Sequence, residues 1–270
     1  VRRILLGIGA ALSLGFALLP LVWTAMVSLA EHPDFLLRGG LSPTFDNYRD
    51  LFTSEDLHFV DYLKNSLLIS SLSALLSLTA SFLCAYALSR LSPFKALPLL
   101  LGVLGISLFP QISSAGFLYR IFSLTGLINT YPALVLPYTA WSLPLGVWLM
   151  HAYISSLPRD IDRSALVDGA GRLTILLRII LPLSLPGLAS TYVLLFLFCF
   201  NEFLFALMFT VDYRTRTVPV GIALFEGLHG QIPWGHITAA SLVSVLPVLI
   251  LVLFLQGYII RGLTGGAVKG

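Results

Sequence analysis

The chain has 270 residues, 57% of them hydrophobic and 11% charged, less than half the charged fraction, about 25%, of ordinary soluble domains. Sixteen Lys+Arg and 13 Asp+Glu cannot clothe a water-soluble surface of this size, so the expected solvent is the lipid bilayer. The net charge of +3 comes with no cluster of Lys/Arg interleaved with aromatics, which argues against a phosphate-tracking face and against nucleic acid as a partner.

A charge at mid-bilayer costs roughly 2.5 to 3.5 kcal/mol on insertion scales, so charged positions fence the candidate spans. The first apolar run covers 4–30, between Arg3 and Glu31. Arg2-Arg3 followed by Ser28-Leu29-Ala30 also has the outline of a signal peptide. The 27 charge-free residues exceed a signal h-region of about 7 to 15, and an uncleaved first helix is expected. Segment 31–62 is polar, with Phe45, Tyr48, Leu51 and Phe52 at helical spacing, and should carry a short surface helix. Runs 65–89 and 96–119 follow. Asn129-Thr130-Tyr131-Pro132 then breaks a longer gap, leaving a span over 133–153. Run 179–211 holds a single charge, Glu202, and 227–260 holds none, with Pro233-Trp234-Gly235 marking a loop. The expectation is an all-α integral membrane protein of six spans, forming one transmembrane domain over 1–270. Cys84 and Cys199 both fall inside spans and read as packing residues.

Basic residues near span ends stay in the cytoplasm. With both termini inside, the inner segments hold ten basic and three acidic residues, +7, against six basic and nine acidic outside, −3. Both termini are therefore expected to be cytoplasmic.

Between the fourth and fifth spans, segment 157–182 contains Leu157-Pro158-Arg159-Asp160-Ile161-Asp162-Arg163-Ser164-Ala165-Leu166-Val167-Asp168-Gly169-Ala170-Gly171. Physically this reads as two short helices at the membrane surface. Pro158 opens the first, Asp168 is placed to cap the second, Gly169 relieves crowding at the turn, and Pro182 permits a bend into the fifth span. A plain polar connector fits the same residues, because Asp-Gly turns are common.

Asp168-Gly169-Ala170, with Ile180-Leu181-Pro182-Leu183 beginning twelve residues beyond Asp168, resembles the cytoplasmic EAA loop of permease subunits of binding-protein-dependent ABC importers. The resemblance extends to Phe45-Asp46-Asn47-Tyr48, Asn65-Ser66, Asn201-Glu202-Phe203 and the tail Gly262-Leu263-Thr264-Gly265-Gly266-Ala267-Val268-Lys269-Gly270, which is like that of sugar permeases of the maltose and trehalose type. It implies a type I importer permease fold in a prokaryotic plasma membrane, with Arg163, Ser164, Ala165, Asp168, Gly169 and Ala170 in a coupling helix that docks in a cleft of an ATPase subunit. The implied partners are a second homologous permease, two ATP-binding subunits that carry ATP and Mg, an extracytoplasmic binding protein or lipoprotein, and a sugar. One departure stands out. The family has an acid five positions before the Asp, pairing with a cation on the ATPase, and this chain has Arg163 there, with Ser164 where Ala is usual. Asp160 or Asp162 could substitute, or the cognate ATPase could carry an acid.

Glu202 is expected midway along the fifth span, facing protein or a water-filled cavity rather than lipid. It is either a structural carboxyl bonded to a neighbouring helix or a polar contact on a sugar path, where hydroxyls meet acceptors and ring faces meet aromatics. Counting from the shared Asp-Gly-Ala, the resemblance adds Trp141, Ser142 and Cys199 to Glu202 and Asn201 as pathway candidates. In the outer loop 225–235, Gly227, His229, Gly230 and Trp234 are the implied contacts to the binding protein. His229 and His236 without carboxylates or thiols make a poor metal site, and none is expected.

The three lysines, Lys64, Lys95 and Lys269, sit in no P-loop pattern, so any ATP must be bound by partners and no cofactor is expected in this chain. No Ser/His/Asp or metal constellation converges, and no charged relay runs through the spans. The chain is therefore expected not to be an enzyme by itself or a self-powered transporter. A neutral di- or oligosaccharide is the expected cargo, because a phosphorylated one should favour intramembrane Arg or Lys. The alternatives are a glycerol-phosphate or polyol importer or, in a different class, an intramembrane enzyme.

Overall fold

The computed structural model describes residues 2–32, 40, 42–225 and 232–264. Among these the regular structure is helical, apart from an isolated antiparallel bridge between Ala30 and Pro43. Helices α1 (Arg2–Ser28), α3 (Phe59–Ser89), α6 (Tyr131–Ser156) and α13 (Trp234–Thr264) are each long and apolar enough to cross a membrane. Two further helix pairs meet the same length and apolarity only when each bent pair is taken as one span.

The run expected as one span over 96–119 is two helices, α4 (Pro93–Ser107) and α5 (Gln111–Leu124), bent by 75°. Pro110 is the reason. It takes extended backbone angles as the residue preceding α5, where its missing N–H leaves no helical bond unmade, and it disfavours helical geometry in the residue before it.

The fifth span differs more. Its path begins as α8 (Arg172–Ile175), loosens into a π turn over Leu176–Ile180, and closes with the short α9 (Leu181–Leu183) before α10 (Leu185–Phe200), again with a 75° bend. Pro182 cannot donate to the Arg178 carbonyl, and the wider π turn absorbs the missing bond. Helix α10 then stops at Phe200, and the six-residue α11 (Leu204–Phe209) starts beyond a break. Glu202 therefore sits in that break, not midway along a continuous helix.

The chain divides into two compact units, Val1–Leu63 with Thr217–Pro247, and Lys64–Arg216 with Val248–Gly270. In the first, α2 (Asp46–Thr53) lies within segment 31–62. Its Asn47 donates to the carbonyls of Ser28 and Ala30 at 3.0 Å each. An apolar cluster of Leu51, Phe59, Tyr62, Val218 and Phe225 includes α12 (Val218–Ala223), whose Gly221 lies against the Tyr62 ring. Helix α1 is apolar and exposed from Leu12 to Trp23, as a helix bathed in lipid requires, and becomes buried at its end, at Val27 and Ser28.

In the second unit α4 and α10 pack on α6, and α11 packs on α5 and α6. Helix α3 buries a stripe of Ser66, Ser70, Ser73, Ser77 and Ser81. Ser73 and Ser81 donate to the α6 carbonyls of Val135 and Leu143 at 3.5 and 3.3 Å. Small residues let the two backbones approach closely where apolar burial offers no driving force between helices. Gly146 of α6 faces Ser81 with no room for a Cβ.

Candidate functional site

The segment between α6 and α8 is a single short helix, α7 (Asp160–Val167), followed by a tight turn. The backbone N–H of Ala170 donates to the Ala165 carbonyl at 2.9 Å and that of Gly169 to the Leu166 carbonyl at 3.1 Å. With Gly169 at φ +82°, this is a Schellman ending, which glycine alone enters without strain. Asp168 terminates α7 in place of capping the next helix. The residue preceding α8 is Gly171, which has no side chain to cap with.

Helix α7 has two faces. Arg163 and Ser164 point outward with Asp160, and the Arg163 side chain, 76% exposed, pairs with Asp160 at 3.2 Å. Leu166 and Val167 are exposed beside them, Val167 at 87%; these two apolar residues are the part of the outward face that the sequence reading passed over. Ala165 and Asp162 turn inward and are buried. Asp162 meets Arg90 at 2.5 Å, so of the two acids considered as stand-ins at Arg163, only Asp160 remains on the outward face. Asp168 and Gly169 are exposed and Ala170 is half-buried. The turn thus presents an apolar tip, Leu166 and Val167, beside one cation, Arg163.

Glu202 is buried and accepts the backbone N–H groups of Phe205 at 2.9 Å and Ala206 at 3.3 Å, two of the donors that the start of α11 would otherwise leave unpaired. The buried Tyr138 side chain lies beside the same carboxyl. Asn201 is exposed and turns its amide back onto the Leu197 carbonyl at 2.8 Å. Together Asn201 and Glu202 line a cavity of about 670 Å³ with Gln111, Leu145, Phe198 and Phe203. Gln111 is the first residue of α5, so both helix breaks border one cavity. A glutamine following Phe109-Pro110 in an otherwise apolar run was the sequence signal that could have found it.

The other pathway candidates do not line that cavity. Ser142 is fully buried, donates to the Thr139 carbonyl at 3.3 Å and bonds the thiol of the buried Cys199. Trp141 packs edge-on against Phe205 with ring centroids 5.4 Å apart, supporting the helix that Glu202 caps. Of the outer-loop candidates, Gly227, His229 and Gly230 lie outside the described residues. Trp234, half exposed, is the first residue of α13, and His236 bonds Asp50 at 3.0 Å. No group of three or more metal-ligating side chains occurs among the described residues.

The family model described as binding-protein-dependent transport system inner membrane component matches residues 16–265. The chain belongs to that family. It is a transport subunit of the inner membrane and not an enzyme. Among similar proteins, the trehalose/maltose transport system permease protein MalG of Thermococcus litoralis is 50% identical over 272 residues, covering 100% of this chain and 98% of that one. The trehalose transport system permease protein SugB of Mycobacterium tuberculosis is 38% identical over 96% of this permease and 95% of its own length. The sulfoquinovosyl glycerol transport system permease protein SmoH of Agrobacterium fabrum is 35% identical over 97% and 93%. A chain from the crystal structure of a bacterial ABC transporter involved in the import of the acidic polysaccharide alginate superposes with a TM-score of 0.74 at 20% identity, over 96% of this permease and 95% of that chain. The fold is thus that of an ABC importer permease, as the sequence led us to expect.

Proposed function

We propose that this permease is half of the membrane pore of an ATP-driven importer for a neutral di- or oligosaccharide, of which trehalose and maltose are the leading candidates. The observation that carries this reading is 50% identity, across nearly the whole of both chains, with a trehalose/maltose permease. The second half is a homologous permease, and two ATPase subunits bind the ATP and Mg that this chain has no P-loop to hold. A binding protein delivers the sugar from outside. Both termini are cytoplasmic, in line with +7 on that side against −3 on the other.

In this reading α7 docks in the ATPase cleft, with Leu166 and Val167 entering and Arg163 meeting an acid at its rim. Closure of the two ATPases on ATP moves the docked helices together and exchanges an inward-facing for an outward-facing cavity. The space bounded by Gln111, Asn201 and Glu202 lies on the path. Amide and carboxyl oxygens accept sugar hydroxyls there while Phe198 and Phe203 offer apolar contact. A largely apolar wall with few polar groups suits a cargo that must enter and leave.

The test is co-purification of the complex followed by ATPase and uptake assays with trehalose, maltose and glycerol phosphate. We expect stimulation and uptake with trehalose, maltose or both. Stimulation by glycerol phosphate alone would overturn the neutral-sugar assignment, and a chain that co-purifies with no ATPase would overturn the reading as a whole.

A further inference from the structure

The inward face of α7 carries one charge, Asp162, and it does not meet α6, the helix from which α7 continues. Its Oδ2 meets Nε of Arg90, one residue past the end of α3, at 2.5 Å, and its Oδ1 accepts the Tyr86 hydroxyl at 3.4 Å. The Arg90 guanidinium lies 5.0 Å from the centre of the Tyr86 ring, and its Nη1 and Nη2 are buried with no hydrogen-bond acceptor among the described residues. A buried guanidinium placed this way depends on its one nearby carboxylate. Beside it, Arg159 donates from Nη2 to the carbonyls of Ser89 at 2.9 Å and Leu91 at 3.1 Å, which closes the end of α3. The end of α3 is therefore fastened to both the entry and the inner face of α7.

At the opposite end of the same helix, Asn65 donates to the carbonyls of Tyr213 at 3.0 Å and Arg216 at 2.9 Å, and accepts the Tyr131 hydroxyl at 2.7 Å. Asn65 and Ser89 are 24 residues apart, so the two junctions are separated by about 36 Å at roughly 1.5 Å per residue. Helix α3 is also the one long apolar helix without an internal proline. Helix α1 contains Pro20, α6 contains Pro137 and Pro144, and α13 contains Pro247. The remaining two crossings are bent by 75°. An unbroken, proline-free helix with polar fasteners at both ends transmits displacement, whereas one broken by a sharp bend absorbs it.

We propose that α3 is the strut that carries movement of the docking helix to segment 211–216 on the other side of the membrane, with Arg90 and Asn65 as the positioning residues at its two ends. The inference rests on the reading of α7 as the ATPase-docking helix.

The test uses the complete transporter, two permeases, two ATPases and the sugar-loaded binding protein, in proteoliposomes. Docking is followed separately by a cross-link from Val167→Cys to the ATPase subunit. Arg90→Gln and Asn65→Ala should each keep the cross-link and the basal ATPase rate, while stimulation by the loaded binding protein drops about five-fold or more, the lower end of ordinary allosteric coupling. The exchange Arg90→Asp with Asp162→Arg should recover most of the stimulation that either single change loses, which ties the loss to this contact, while an unchanged basal rate and cross-link separate transmission from a merely structural role. Wild-type stimulation in Arg90→Gln with the cross-link intact would overturn the strut. So would an exchange variant no better than its parents, and this arm decides the matter if Arg90→Gln fails to assemble. Absence of the Val167→Cys cross-link in an otherwise unaltered chain would instead sink the docking reading, and the strut with it.

Discussion

The carboxyl of Glu202 accepts the backbone N–H of Phe205 at 2.9 Å, so the acid inside the fifth crossing acts first on its own chain. A helix that begins within the bilayer has free N–H groups and no water to take them, and Glu202 supplies the acceptor. Replacing it with Ala should cost about 1 to 3 kcal/mol, the penalty for leaving buried donors unpaired, and lower the thermal midpoint of the purified complex by several degrees. Glu202→Gln keeps a carbonyl acceptor and should stay near the wild-type midpoint. Sugar uptake by the Gln variant then isolates the pathway role. Uptake at the wild-type rate would confine Glu202 to capping.

Gly187 of α10 lies against the ring of Tyr153 of α6, leaving no space for a Cβ. Gly187→Val should force the two helices apart and destabilise the subunit by about 1 to 3 kcal/mol, as overpacking does. Combining it with Tyr153→Ala should restore part of the loss. Thermal unfolding of the single and double variants decides, and a double variant no more stable than Gly187→Val would show that the ring is not the obstacle.

Arg163 is 76% exposed and bonds within its own helix to an Asp160 that is 82% exposed. Arg163→Glu should therefore change stability by less than about 0.5 kcal/mol, as surface substitutions do. If α7 docks on the ATPase as proposed, coupling should nevertheless fall severalfold, because the substitution reverses the charge on its outward face. Coupling left intact, measured as stimulated against basal hydrolysis, would show that the position pairs with nothing.

The loop after α11 carries a pH dependence. Asn129 hydrogen-bonds the Asp212 carboxyl, and the Arg214 backbone N–H adds a second bond at 3.0 Å; together they hold it below the usual carboxylate range. A depressed folded-state value stabilises the loop at pH above the ordinary aspartate range, and the contribution disappears as pH falls through the lowered value. Amide hydrogen exchange at Arg214 should accelerate on acidification through that window, beyond the intrinsic pH effect. Asp212→Asn should remove the dependence, and an unchanged profile in that variant would refute the assignment.

Much of the scheme was legible because bilayer insertion is read one residue at a time. A charge-free run long enough to span is a candidate span, which is why α1, α3, α6 and α13 cover most of the runs drawn from Arg3, Lys64, Pro132 and Pro233, each helix running past its run by a few residues at one end or both. Breaks were less legible, although their causes were in plain sight. Pro110 and Pro182 were visible, but an apolar run hides whether the chain continues straight or bends by 75°. Asp168 was misplaced because an Asp before a Gly reads equally well as a cap for the helix after it or a terminator for the helix before it. The backbone bonds of Gly169 and Ala170 to α7 chose the second.

The sequence by itself determined the solvent, the apolar runs and the turn at Gly169, because each follows from local charge, apolar length or backbone freedom. Only the tertiary structure decided which acids face which partner. Asp160 and Asp162 are two residues apart, and about 100° of helical turn per residue puts them on opposite sides of α7, one beside Arg163 and the other against Arg90. Likewise Gln111 and Glu202 border one cavity although 91 positions separate them in the sequence. Such meetings depend on how helices pack, and packing between distant segments leaves no mark in local composition.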